Sequence, residues 1–228
     1  MSEINLNTNV SSCIISNVES SNKKTVNSDR EAVNEIVMLE WQAFDKVQNE
    51  GGRASCQDDW DTFSIMRRSQ YDTWTDEMLD SYIDDFYTAN EHGWNLITEK
   101  YARMEESTAP DSYAAIKDNL PEVDDTKKAI VEQIVGIQVD WMEQFASLYP
   151  KAASNARSIH TSDDTEVNTS YETYLRGELL TYSARTLALY GQFIVKLAGE
   201  GRNLACMIME NTAKAYGYGS LKELEDKL

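Results

Sequence analysis

Four polar side chains fall on the apolar faces of predicted helices, where burial is costly unless a partner compensates for the lost water. Glu40 and Glu178 each lie within a stripe of large hydrophobic residues at helical spacing, and Arg67 and Gln70 continue a third stripe. A buried carboxylate or guanidinium needs an opposite charge and hydrogen-bond partners to offset its desolvation. The pattern predicts that these groups, from distant parts of the chain, meet in an internal polar site.

Such a site suits general acid–base chemistry on a small polar or anionic metabolite. We predict Glu178 and Glu40 as the acid or base, with Tyr182, one helical turn from Glu178, as a further proton donor. A carboxyl group among apolar side chains is expected to have a raised pKa, which favours proton transfer near neutral pH. Arg67 and Lys100 would bind a carboxylate or phosphate group of the substrate. The remaining predicted substrate-binding residues are Arg53, Gln70, Gln138 and Asn211.

Two other interpretations of the same residues stay open. The buried charges can form a salt-bridge network that only fixes the register of the helices. They can also form a carboxylate-bridged dimetal site, with Glu99 or Glu143 joining Glu40 and Glu178 as ligands. Helical dimetal sites carry a glutamate three residues before a histidine on two of their helices, and neither histidine of this chain has that spacing. No metal ligand and no cofactor is therefore assigned.

Helices must position these residues, because apolar side chains recur at steps of three, four and seven through most of the chain. The longest repeat predicts a single helix over residues 169–197, which begins at a capping box of Thr169 with Glu172. A second capping box, Ser28 with Glu31, begins the first helix, and the pair Gly51 and Gly52 ends it.

The remaining segments complete an all-α fold. Further helices are predicted over about residues 57–74, 75–90, 94–104, 110–120, 125–148, 204–215 and 220–228. Residues 151–168 lack periodicity and predict a loop that can serve as a mobile lid. We expect a flexible leader over residues 1–27, followed by a single irregular helical bundle of about six to eight helices over residues 28–228.

The composition limits the partners and the location. The 228 residues include 21 Lys and Arg against 39 Asp and Glu, for a formal net charge of −18. Such a surface repels nucleic-acid phosphates and anionic lipid, so we expect neither nucleic acid nor a membrane as a partner. No stretch approaches the length of a membrane span, and three scattered cysteines do not suit a disulfide framework. The chain is therefore predicted to be cytoplasmic.

Five segments of the chain carry long, distinctive motifs: GGRASCQDDWDTFSIMRRSQYDTW, EKYARMEE, IQVDWMEQFASLYP, TSYETYLRGELLTYS and NTAKAYGYGSLKELE. Together, from about Ala32 to Glu225, they resemble the bacterial family catalogued as domain of unknown function 4125. The resemblance implies a helical fold and brings no assigned catalytic residues. Related chains occur alone or joined to a nucleotidyltransferase-like domain. The resemblance thus implies an alternative function, a non-catalytic helical module that partners a nucleotidyltransferase-like enzyme.

Overall fold

The structure, a computed structural model, describes residues 30–49 and 52–228. These residues form eleven α-helices and no β-strand, which confirms the all-α prediction. The helices are α1 (Glu31–Asp45), α2 (Trp60–Tyr71), α3 (Asp76–Glu91), α4 (Leu96–Thr108), α5 (Pro110–Ile116), α6 (Asp125–Leu148), α7 (Pro150–Ser154), α8 (Tyr171–Thr181), α9 (Ala184–Gly199), α10 (Leu204–Ala215) and α11 (Leu221–Lys227). None of the described helices is long and apolar enough to cross a membrane. The predicted leader lies outside the described residues.

The core lies where α8 packs between α4 and α6. Around it, α1 packs against α2, α3 and α4, whereas α10 contacts α2 and α6, and α9 contacts α3 and α6. The side chains that fill it are large and fully buried, for example Phe86, Phe145, Leu179 and Ile194. Burying several such side chains supplies the main stabilising free energy of a helical domain. The polar side chains buried between these helices therefore lie inside a well-packed core.

Gly177 allows α8 to lie unusually close to α4. A Cβ atom placed on Gly177 would lie 2.9 Å from the carbonyl oxygen of Lys100 and 2.9 Å from Cγ of Met104. Backbone atoms of a packed helix cannot yield to such a contact, so any side chain at this position would force the two helices apart. The absence of a side chain at Gly177 thus sets the distance between the helices that carry Lys100 and Glu178.

The predicted single helix over residues 169–197 is wrong, because the chain breaks after Tyr182. The hydroxyl of Ser183 accepts a hydrogen bond from the backbone N–H of Thr186, which begins α9 with an N-cap. Lys127 Nζ donates to the carbonyl groups of Leu180 and Tyr182, both at 2.7 Å. These two contacts satisfy polar groups at the break, so two helices replace one. The described residues form eleven helices in all, more than the predicted six to eight.

The predicted capping box of Thr169 with Glu172 is wrong. Ser170 caps α8, since its hydroxyl accepts from the backbone N–H of Thr173. The Glu172 carboxylate accepts instead from the backbone N–H of Thr161, so it is not available to complete a box with Thr169. Ser28, of the other predicted capping box, lies outside the described residues, and α1 begins at Glu31.

The end of α1 also differs from the prediction. The helix ends at Asp45, well before Gly52, and Gly51 lies outside the described residues. Gln57 Nε2 donates to the carbonyl groups of Phe44 and Val47, at 2.8 Å and 3.0 Å. A distant amide therefore satisfies the last turn, and the helix needs no glycine there.

The predicted loop over residues 151–168 is partly helical and is tied to its neighbours. Its first residues belong to α7. Asp164 accepts hydrogen bonds from the hydroxyls of Ser107 and Thr173 and from the backbone N–H of Ser170, all at 2.6 Å. These bonds hold the segment against α4 and α8.

Candidate functional site

Arg67, on α2, lies between two buried carboxylates. Its Nε and Nη2 atoms donate to the two oxygens of Glu40, on α1, both at 2.5 Å. Its Nη1 and Nη2 atoms lie 3.4 Å from the oxygens of Glu178, on α8. Glu40 is 1% exposed, Glu178 3% and Arg67 8%. The three charges are thus removed from water and depend on one another.

Glu178 has three further donors. Lys100 Nζ lies 2.7 Å from its Oε2 atom, and Gln70 Nε2 and the hydroxyl of Tyr182 both lie 3.1 Å from Oε1. Burial alone would raise the pKa of Glu178, but the charges of Arg67 and Lys100 outweigh it and lower this pKa well below its usual range. The expectation of a raised pKa is therefore wrong for Glu178. Near neutral pH the group is a carboxylate with no proton to donate.

Tyrosine hydroxyls complete the shell around the carboxylates. The hydroxyl of Tyr71 accepts from Arg67 and donates to Glu40 at 2.7 Å, and the hydroxyl of Tyr82 lies 3.4 Å from the same carboxylate. Burial raises the pKa of Tyr71, Tyr82 and Tyr182 well above the usual value. These hydroxyls therefore keep their protons and act as hydrogen-bond donors.

The structure brings together six of the predicted site residues. Tyr182 is one of them, since its hydroxyl donates to Glu178. We call the other five the charge cluster: Glu40, Arg67, Gln70, Lys100 and Glu178. They come from α1, α2, α4 and α8, and the formal charges of the two carboxylates and two cations cancel. Neutrality with short hydrogen bonds is what allows such groups to be buried in a stable core.

Two predicted binding residues lie elsewhere. Arg53 is on the surface, where it pairs with Asp45 at 2.6 Å and Asp58 at 2.9 Å. Asn211 Nδ2 donates to the carbonyl group of Ser69 at 3.1 Å, a contact between α10 and α2. Both residues therefore have structural partners outside the charge cluster.

Gln138 is buried and accepts hydrogen bonds from neutral groups. The hydroxyls of Tyr171 and Tyr190 donate to its Oε1 atom at 3.3 Å and 3.1 Å. Its Nε2 atom has no hydrogen-bond partner among the residues that the structure describes. The structure thus places Gln138 among tyrosines and not among the charged groups.

Of the four carboxylates proposed for a dimetal site, Glu99 and Glu143 do not join Glu40 and Glu178. Glu99 accepts two bonds from Arg103, at 2.8 Å and 2.7 Å. Glu143 lies on the surface and contacts His160 at 3.2 Å. Over residues 30–49 and 52–228, no group of three or more His, Cys, Asp and Glu side chains is arranged to hold a metal ion. The donor set for two metals is therefore not assembled in this part of the chain.

A cavity of about 210 Å³ lies directly beside the charge cluster, between α2, α4, α6, α8 and α10. Its apolar walls include Phe44, Phe63, Met66, Tyr101, Met142, Ala205, Ile208 and Met209. Its polar lining includes Arg67, Gln70, Arg157, Tyr171 and Tyr174. No aspartate or glutamate occurs among the described residues that line it. The cavity has the composition of a small-molecule site, mainly apolar with a few polar groups.

Tyr174 connects the cavity with the charge cluster. Lys100 Nζ lies 3.7 Å from the centre of its ring, and the guanidinium carbon of Arg157 lies 4.8 Å from the same centre. Arg157 Nη1 also donates to the carbonyl group of Thr169 at 3.2 Å. Contact with the face of an aromatic ring stabilises a cation where water is scarce.

A family model described as a protein of unknown function (DUF4125) matches residues 30–226. The chain belongs to this family. The match covers nearly all the described residues, so the charge cluster and the cavity both lie within the DUF4125 region. No curated protein and no solved structure matches the chain.

Sequence reasoning missed Arg157 and Tyr174 in this DUF4125 chain. Arg157 lies in the aperiodic segment before α8, where no pattern indicates which way a side chain points. Tyr174 is half-buried and lies on α8, one turn before Glu178. That spacing, four residues before the most unusual buried carboxylate, was the one available signal.

Proposed function

We propose that this protein binds a small metabolite in the cavity beside Arg67. The cavity itself is the observation that carries the proposal: about 210 Å³ of space with mainly apolar walls and a few polar groups. A dry cavity of about 150 Å³ is enough to hold benzene. A single ring with a short polar arm is therefore the size of ligand that we expect.

The charge cluster is proposed as the scaffold of this site. Each guanidinium nitrogen of Arg67 donates to a protein acceptor, whether Glu40, Gln70, Tyr71 or Glu178. A side chain held on all sides is rigid, and rigid walls reduce the ordering cost of binding. The lowered pKa of Glu178 gives no support to its role as a general acid. We therefore treat Glu40 and Glu178 as residues that position Arg67, and any reaction would use other groups.

A ligand screen with a matched pair of variants tests binding. Ala205 lines the cavity, and Ala205→Leu places a larger side chain in it, whereas Ala198→Leu adds the same side chain to the exposed surface of α9. Amino acids, nucleotides, sugar phosphates and small aromatic acids are tested for a rise in Tm. Ligands of the cavity stabilise the wild-type protein and Ala198→Leu but not Ala205→Leu. A panel with no such compound, or with equal shifts in all three proteins, would overturn the proposal.

The surface supports a second proposal, the accessory role beside a nucleotidyltransferase-like enzyme. A groove of about 490 Å³ lies along α6 and α9, and its apolar lining includes the exposed side chains Ile130 and Val195. Exposed apolar patches are common at protein interfaces. Val195→Asp should abolish co-purification of such an enzyme from the native host, and failure of the wild-type chain to retain one would count against this role. Under either proposal we place the protein in the cytoplasm.

A further inference from the structure

We propose that the cavity binds an uncharged, mainly apolar molecule with a carbonyl oxygen, and that the hydroxyl of Tyr101 donates a hydrogen bond to this oxygen. The inference rests on the proposed function, because it names the ligand class of the same cavity. It adds the charge of the ligand, its polar group and the residue that recognises this group.

The hydroxyl of Tyr101, on α4, is a polar group without a partner in a buried residue. Tyr101 is 6% exposed and lines the cavity. Its ring packs against that of Phe44, yet its hydroxyl makes no hydrogen bond with any residue that the structure describes. The hydroxyl oxygen is not fully enclosed by protein, and because the rest of the residue is buried, the open side of this oxygen is the cavity. Buried polar groups normally have a hydrogen-bond partner, so this hydroxyl indicates a partner inside the cavity.

This partner has to be a hydrogen-bond acceptor. Burial raises the pKa of Tyr101 well above its usual value, and the neighbouring Tyr174 raises this pKa further, so the hydroxyl keeps its proton at neutral pH. Tyr174, a half-buried residue of the same lining, carries a second hydroxyl that makes no hydrogen bond with the described residues. A protonated phenol offers one donor. The group on the ligand that matches it is an acceptor such as a carbonyl oxygen.

The charges around the cavity already have partners in the protein. The charge of Arg67 is compensated by Glu40 and Glu178. Arg157 donates to the carbonyl group of Thr169 and has a further interaction within the protein. No aspartate or glutamate lies among the described lining residues. A charged ligand would lose its water without gaining a counter-charge of its own, which costs much more than burial of a neutral group. The cavity therefore favours an uncharged ligand.

The walls favour a ring for the apolar part of the ligand. Three methionines, Met66, Met142 and Met209, line the cavity together with Phe63 and Tyr101. Methionine sulfur packs favourably against aromatic rings and adapts to their outline. The volume of about 210 Å³ exceeds the roughly 150 Å³ that holds benzene by the space of a small substituent. A benzene ring with a short carbonyl arm, as in acetophenone, fits this volume.

Three probes with the same ring and the same number of heavy atoms test the polar group and the charge. Acetophenone carries the carbonyl oxygen, α-methylstyrene has a methylene group in place of this oxygen, and benzoate has a carboxylate in place of the methyl ketone. Each probe is titrated calorimetrically into the full chain at pH 7. We expect acetophenone and α-methylstyrene to bind and benzoate to show no measurable binding, because only benzoate has to bury a charge.

Tyr101→Phe tests the assigned residue, since it removes the hydroxyl and keeps the ring. The change leaves the carbonyl oxygen of acetophenone without its donor, so this probe should bind at least about threefold more weakly. The affinity for α-methylstyrene should change less than about twofold, because that probe has no acceptor. Tyr190→Phe is the matched control: Tyr190 is also buried, but its hydroxyl donates to Gln138 at 3.1 Å and it does not line the cavity. This control should leave the ratio of the two affinities unchanged.

Two further measurements separate a binding role of the Tyr101 hydroxyl from a structural role. Without ligand, Tyr101→Phe should not lower the Tm, because the hydroxyl has no protein partner to lose, whereas Tyr190→Phe should lower the Tm. In the wild-type protein, the infrared carbonyl band of bound, isotope-labelled acetophenone should lie at a lower frequency than in hexane, because a hydrogen bond weakens the C=O bond. The infrared measurement needs no variant.

The failure of this inference can be told apart from failure of the proposed function. If acetophenone and α-methylstyrene both bind and are both lost in Ala205→Leu, but their affinity ratio is the same in Tyr101→Phe as in the wild type, the cavity remains a binding site and the role of Tyr101 is overturned. Tighter binding of benzoate than of acetophenone would overturn the uncharged ligand class. A carbonyl band at the frequency found in hexane, or no binding of any probe, would overturn the inference as a whole.

Discussion

Replacement of Arg67 with methionine should destabilise the protein severely, because two buried carboxylates share this one cation. Among the described residues, Glu40 would keep the hydroxyls of Tyr71 and Tyr82 as partners, whereas Glu178 would keep Lys100. Removal of one partner of a buried ion pair costs about 3–5 kcal/mol, most of it from the charge left behind. Since Arg67→Met leaves Glu40 without any cation in the charge cluster, we expect about 4–5 kcal/mol.

Urea unfolding followed by circular dichroism measures this loss. For proteins of this size, the free energy of unfolding falls by roughly 2–3 kcal/mol for each 1 M increase in urea. The urea concentration at the unfolding midpoint should therefore fall by about 2 M. The predicted loss is a large part of a typical total stability of about 5–15 kcal/mol. The slope of the transition should stay the same if the variant still folds to the same structure.

The pH dependence should distinguish a charge effect from a packing effect. The lowered pKa of Glu178 means that its contribution to wild-type stability is present above the unfolded-state value and is lost as the pH falls towards the folded-state value. In Arg67→Met, protonation of the carboxylates that have lost their cation stabilises the folded state. The difference in unfolding free energy between the two proteins should therefore be largest near pH 7 and narrow below about pH 4, under the usual carboxyl pKa.

Arg53→Met is the matched control, since Arg53 also bonds two carboxylates but is exposed. Surface ion pairs contribute little because water solvates each charge once the partner is gone. Its urea midpoint should lie close to that of the wild type. Equal losses for Arg53→Met and Arg67→Met, or a difference for Arg67→Met that is constant from pH 3 to pH 7, would refute the reasoning.

Three further substitutions test how the cluster is held, each by urea unfolding. Gly177→Ala should lower the free energy of unfolding by about 1–3 kcal/mol, because its Cβ would lie 2.9 Å from a backbone oxygen of α4. Gly136→Ala, with open space at its Cβ, should raise the free energy of unfolding by about 0.5–1 kcal/mol. A change of the same sign in both variants would contradict the close approach of α8 to α4. Lys127→Met should lower the free energy of unfolding by about 1–3 kcal/mol, because it leaves two carbonyl groups unsatisfied at the end of α8. Amide hydrogen exchange in this variant should increase more in α9 than in α3. Tyr182→Phe removes one of several donors to Glu178, so we expect only about 1 kcal/mol; a loss as large as that of Arg67→Met would mean that the hydroxyl matters more than the cations.

The helical fold and the convergence of the charged residues could be predicted from the sequence. Side chains on a stripe at helical spacing face the core wherever the helices pack, so Glu40, Arg67 and Glu178 had to be buried together or be very costly. The break after Tyr182 could not be predicted in this way, because Tyr182 continues the apolar stripe up to the point where Ser183 caps the next helix.

The electrostatic character of the site depended on partners that the pattern does not show. An apolar stripe around Glu178 indicates a raised pKa, yet Lys100 and Arg67 approach from other helices and reverse the direction. Arg157 was missed because a segment without periodicity gives no direction for its side chains. Asn211 satisfied the spacing rule, but its amide is used between two helices.

The balance of charge in the charge cluster restricts which substitutions this part of the chain can accept during evolution. The charges of four residues cancel: Glu40, Arg67, Lys100 and Glu178. A single replacement that removes one of these charges leaves its partner buried without a full counter-charge. A lineage that exchanges these residues for apolar ones has to substitute several positions almost together, and the chains that retain one of the four should retain the other three.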